Sequence, residues 1–90
     1  MFTINFTTKF KKDFKVVTNR RYNLLLLEEV IDHLVDTGTV PPKYKPHKLT
    51  GTFSDTWECH IKSDWLLLWI VDGQNKEIWL VATGTHSDLF

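Results

Sequence analysis

Glu58, His60, Lys62 and Asp64 recur at every second position of the stretch ECHIKSDW, and the chain ends in THSDLF, which carries His86 and the aromatic Phe90. His47 joins His60 and His86 in the C-terminal half. Imidazole titrates near neutrality, so each of these groups can give or take a proton. Cleaving an RNA phosphodiester requires a base at the 2′-hydroxyl, an acid at the leaving oxygen, positive charge at the phosphate and a surface to hold the base. His47, His60, Asp64, His86, the nearby lysines Lys45, Lys48 and Lys62, and Phe90 are together able to supply these roles. No single spacing among them is diagnostic alone.

Each residue also has a plainer reading. A lone histidine is more often structural than catalytic, and His33, in a helical stretch beside Asp32 and Asp36, carries no functional weight. Asp64 taken alone reads as a hairpin turn residue. Of the four tryptophans, only Trp65 is a candidate wall of the site; the rest read as core or sheet-covering aromatics. Cys59 reads as a small apolar core residue. Scattered histidines, with no cysteine pair and no HExxH, give no metal site and imply no cofactor.

These groups must be held by a small scaffold. Phe2 to Phe6 alternates apolar and polar residues, as a half-buried strand does. Thr7 or Thr8 can then cap a helix in which Phe10, Phe14 and Val17 recur on one side. A second helix is expected from about Asn19 to Asp36, on the stripe Leu24, Leu27, Ile31 and Leu34, with a short join at Thr18-Asn19. Gly38 suits its end and Pro41-Pro42 forbids continuation. Residues 39–56 read as an irregular crossing segment. Trp57 to Lys62 alternates, with Trp57, Cys59 and Ile61 toward the helices and Glu58, His60 and Lys62 away. Trp65 to Val71 reads as a central strand covered on both sides, Asp72-Gly73 as a turn, and Glu77 to Ala82 as the last strand. The expected fold is a single α+β domain over residues 1–90: β-α-α-β-β-β, an antiparallel sheet with a helical hairpin on one face. The other face is left for a site.

Ninety residues at 42% hydrophobic and 24% charged describe one globular domain rather than a disordered chain. The longest apolar run, WLLLWIV at 65–71, is far short of the ~20 residues that span a bilayer. With one cysteine and no signal-like N-terminus, the expectation is a cytoplasmic protein without membrane attachment. Net charge is zero but segregated: +5 over residues 1–27, −4 over 28–42, +3 over 43–48 and −4 over 49–90. Local positive patches are therefore possible on a neutral chain.

YKPHKLTG (44–51), ECHIKSDWLLLW (58–69) and TGTHSDLF (83–90) together resemble the YafQ branch of the RelE/ParE toxin superfamily of bacterial type II toxin–antitoxin modules. The resemblance implies a RelE-like fold and a metal-independent endoribonuclease that enters the ribosomal A site and cuts the mRNA there through 2′-hydroxyl attack, leaving a 2′,3′-cyclic phosphate. It matches His47 to the family's Y-K-x-H element, His60 and Asp64 to H-x-x-x-D-W, and His86 with Phe90 to the T-G-[ST]-H-x-x-L-F ending. By that match His86 and Asp64 stand nearest the proton transfers, His47 and His60 at the phosphate and leaving group, and Phe90 against a base. A cognate antitoxin, laying an extended or helical segment over the basic or catalytic surface, is the implied partner beside the ribosome and its mRNA. Two departures stand out: relatives commonly carry arginines where this chain has Trp57 and Ala82. They leave open a ParE-like inhibitor of DNA gyrase, or a weakened toxin that mainly binds its antitoxin.

Overall fold

The computed structural model describes residues 1–51 and 55–90. The chain runs β1 (Thr3–Phe6), α1 (Thr8–Asn19), α2 (Leu24–Thr37), a 3-10 turn (Pro42–Tyr44), β2 (His47–Lys48), β3 (Trp57–Lys62), β4 (Trp65–Asp72), β5 (Glu77–Gly84) and α3 (His86–Leu89). Among the described residues the sheet has five strands in the order β1-β5-β4-β3-β2.

Local chemistry sets the helix ends. The Thr7 hydroxyl accepts from the Phe10 N–H at 3.0 Å and donates to the Val81 carbonyl at 2.9 Å, so one side chain starts α1 and ties it to β5. Asn23 caps α2 by accepting from the Leu25 N–H. Gly38 closes α2 in the left-handed conformation at φ +78°, where an added Cβ would lie 2.6 Å from the Phe2 ring. The join between the helices is therefore Arg20 to Asn23, later than the Thr18-Asn19 break expected from sequence. Asn19 is still helical, and Arg21 makes the bend at φ +62°.

The main core lies between the helical hairpin and the sheet. Phe10 and Val17 of α1 and Leu27, Val30 and Leu34 of α2 pack on Cys59, Ile61, Trp65, Leu67, Trp69, Ile78 and Leu80. Phe14, expected on the same stripe, is 37% exposed. On the opposite face Leu66, Leu68 and Ala82 form a smaller cluster, flanked by Leu49, Val81 and Leu89. Strand β4 thus feeds both layers by alternation, as its unbroken apolar run implied.

Three features depart from the expected plan. The sheet is antiparallel except at its edge, where β1 runs parallel to β5. Apolar alternation carries no strand direction, and here α1 packs back along β5 after leaving β1. The crossing segment contains a short strand, β2, paired antiparallel with β3; residues 52–54 of that segment lie outside the described residues. The chain ends in a short helix, α3, where no element was expected.

Candidate active site

The second face of the sheet gathers the candidate groups in register. His47 of β2 pairs opposite Glu58 of β3, and Glu58 pairs opposite Leu68 of β4. His60 lies two residues along β3, opposite Leu66. Glu58 is only 5% exposed. Its Oε1 stands 3.2 Å from His47 Nε2 and 3.9 Å from His60 Nε2, a buried carboxylate between two imidazoles. His47 Nδ1 faces the Lys45 carbonyl at 3.1 Å. Both neighbours of His47 are acceptors, so the arrangement is fully satisfied when both ring nitrogens carry protons. His60 Nδ1 faces the Ser63 carbonyl at 3.3 Å, which favours a proton there and turns Nε2 toward Glu58.

A second pair adjoins the first. Asp64, in the turn between β3 and β4, accepts the His86 backbone N–H at 3.1 Å and meets His86 Nδ1 at 3.0 Å through the same oxygen. The backbone bond, then the ring bond, lowers the Asp64 carboxyl below its ordinary range. An ionised Asp64 favours the tautomer that carries its proton on Nδ1, in which Nε2 is the acceptor nitrogen of the His86 ring. The His60 and His86 rings are 6.0 Å apart, and the Phe90 ring lies 6.4 Å from His86.

The helix that carries His86 is fixed at both ends of its first turn. Thr85 and Asp88 form a reciprocal capping box. Asp88 also receives a two-pronged bond from Arg20, at 2.6 and 2.9 Å, which joins α3 to the bend between the helices. That guanidinium, followed by the Thr85 N–H, holds the Asp88 carboxyl well below the usual carboxylate range. Gly84, at φ +152°, leaves the necessary room: a Cβ there would come within 2.9 Å of Asp88 Oδ2.

A sequence model described as "Bacterial toxin of type II toxin-antitoxin system, YafQ" matches residues 2–90. The chain belongs to the YafQ family. It is 28% identical over 88 residues to the mRNA interferase toxin YafQ of Escherichia coli K12, covering 97% of this chain and 94% of that one. A metal-bound toxin from Helicobacter pylori superposes with a TM-score of 0.91 at 40% identity, with full coverage of both chains. The YafQ of the Escherichia coli DinJ-YafQ complex superposes at 0.89 with 26% identity, covering 100% of this chain and 99% of that one.

On this YafQ-family scaffold His47, His60, Asp64, His86 and Phe90 come together on one face. Three expected substrate contacts do not join them. Trp65 is 3% exposed and belongs to the main core, where it meets Tyr22 edge-on at 4.8 Å and donates from Nε1 to Thr83 Oγ1; it presents no stacking surface. Lys48 pairs opposite Trp57 and places its Nζ over that ring, on the other side of β2 from His47. A register shift between His60 and Lys62 sets Lys62 opposite Trp65, so Lys62 leaves the histidine row and lies toward the helical hairpin. Lys45 and Lys62 both line a hollow that His60 also borders. Among the described residues no group of three or more ligating side chains is arranged to hold a metal ion.

Glu58 is a candidate site residue whose burial and partners sequence reasoning missed. The alternation placed it on the histidine face, but nothing in the spacing showed it buried between two imidazoles. Trp57 stacks on Trp69 at 6.4 Å, and Ala82 is buried in the small apolar cluster, so neither position places a cation at the site.

Proposed function

We propose that this chain is an endoribonuclease toxin that cleaves mRNA in the ribosomal A site without a metal, and that a cognate antitoxin restrains it. The carrying observation is the Asp64–His86 pair with His60 6.0 Å away, backed by Glu58 and His47. In this reading Nε2 of His86 takes the 2′-hydroxyl proton. The 2′-oxygen attacks phosphorus, the bond to the 5′-oxygen breaks, and a 2′,3′-cyclic phosphate remains. His47, with Nε2 3.2 Å from Glu58 Oε1, is the group that gives a proton to the leaving oxygen, and His60 stands at the phosphate. Phe90, 57% exposed beside His86, offers a face for a base, and such stacking contributes about 1–3 kcal/mol. The names of the relatives support the activity, and the DinJ-YafQ complex supports the antitoxin.

Primer extension on a short mRNA in a purified translation system tests the reading. Discrete cuts at A-site codons are expected, dependent on ribosomes, undiminished by a transition-metal chelator that leaves ribosomal magnesium in place, and abolished by His86→Ala. Equal cutting by His86→Ala would remove that residue's role. Loss of cutting in that chelator, restored by added transition metal, would remove metal independence. Absence of cuts from folded protein would leave antitoxin binding as the function to pursue.

A further inference from the structure

The bend between α1 and α2 carries two adjacent arginines with different fates. Arg20 clamps Asp88. Arg21 adopts φ +62°, a conformation that a non-glycine residue holds only where its surroundings impose it. With Tyr22, Lys62, Ser63 and Asp64 it lines a hollow of about 440 Å³, floored by Trp65. A second hollow of about 620 Å³ shares Lys62 and Ser63 and adds Lys43, Lys45 and His60. The two form one cleft between the helical hairpin and the β3–β4 turn, and each half touches a candidate catalytic residue: Asp64 in one, His60 in the other. Lys45 is also left-handed, at φ +54°. Among the described residues Arg21 and Lys62 form no side-chain hydrogen bond or ion pair. The acids along the cleft are Glu29, at the Lys43 end, and Asp64, which is tied to His86.

We infer that this cleft is the track of the single-stranded RNA flanking the cut, with Arg21 and Lys62 on the phosphates to one side of the reacting group and Lys43 and Lys45 on those to the other. Arg21 then supplies a guanidinium from the bend between α1 and α2, at the Asp64 end of the cleft. The contacts are to phosphate, so they add affinity without base preference. The inference rests on the ribonuclease reading for its substrate, but its test does not require cleavage.

Binding of a labelled single-stranded RNA oligonucleotide is measured by fluorescence anisotropy across a salt series, in the full chain carrying His86→Ala. Each phosphate contact removed should flatten the slope of log affinity against log salt by about 0.7. Arg21→Gln with Lys62→Gln should therefore flatten it by about 1.4, while Lys12→Gln on the outer face of α1 should leave it in place. In the cleaving protein Arg21→Gln should raise KM several-fold and lower kcat less. Melting curves confirm that each variant is folded. An unchanged slope in the double variant, an equal flattening by Lys12→Gln, or no RNA binding by the parent would each overturn the track. A flattened slope in a protein that never cuts RNA would uphold the track and reject the ribonuclease reading.

Discussion

Replacing Glu58 with glutamine keeps the side chain's volume and removes its charge. The amide oxygen can still accept from His47 Nε2, 3.2 Å away, so what disappears is the charge assistance of that bond. A hydrogen bond to a charged group contributes about 1.5–3 kcal/mol and a neutral one about 0.5–1.5, which leaves roughly 1–1.5 kcal/mol for the charge itself. If Glu58 holds His47 in its reactive orientation, that difference falls on the transition state, and kcat should drop roughly tenfold. Stability should hold or rise, because a carboxylate 5% exposed gives up a desolvation cost when it becomes neutral. The assay is single-turnover mRNA cleavage on ribosomes, with thermal melts, for Glu58→Gln, His47→Ala and the pair. Two residues acting as one unit couple, so Glu58→Gln should cost little more once His47 is gone. Wild-type kcat in Glu58→Gln, or full additivity in the pair, refutes the positioning role.

Other expectations follow from the same geometry. Arg20→Asp should loosen α3 and lower cleavage, and adding Asp88→Arg should recover part of it; the comparison is cleavage rate with backbone NMR shifts of residues 85–90. Because the folded Asp88 carboxyl is depressed, its contribution is fully present above the ordinary carboxylate value of 3.8 and is lost as pH falls toward the folded value. Acid titration followed at the amides of α3 should therefore show release only below about pH 4, and Arg20→Gln should shrink that acid-dependent loss. Burial, then the charge of Glu58, pushes the Cys59 thiol up to about 12, so alkylating reagents at pH 8 should label it only after unfolding. Rapid labelling of native protein would contradict its place in the core.

The sequence was most readable where one periodicity ran uninterrupted. Trp57 to Lys62 gave its strand to the residue, and Glu58 and His60 gave the site face, because alternation assigns sides without knowledge of partners. It failed at Lys62, where a one-residue register shift moves a side chain to the other face. The same limit explains Trp65: adjacency to Asp64 in sequence suggested the site, while its phase with Leu67 and Trp69 puts it in the core. Helix α3 is too short for periodicity, yet Thr85 and Asp88 at the spacing of a capping box were a usable signal. Arg20 could not be paired with Asp88 from sequence, since 68 positions separate them and only the returning fold brings them together.

Zero net charge is a poor guide to what an RNA strand would meet on this surface. The three acids nearest the candidate reaction centre each have a cationic or proton-bearing partner: Glu58 with His47 and His60, Asp64 with His86, and Asp88 with Arg20. Engaged in this way, they orient the candidate catalytic rings and the terminal helix and present less bare negative charge to a phosphate. The cations of the cleft lack such partners where it matters, since Arg21 and Lys62 form no ion pair among the described residues. Counterion release depends on the phosphates actually neutralised and not on the sum over the chain. The acids outside the site, such as Glu28, Asp32 and Asp36 on α2, bring the total to zero without entering the cleft. Neutralising those three with Gln or Asn should raise the protein's net charge by three and leave the salt slope of RNA binding nearly unchanged, whereas the far smaller charge change at Arg21 should alter it. If the slope instead followed net charge in both cases, RNA binding would be a property of the whole surface and no cleft would be needed to explain it.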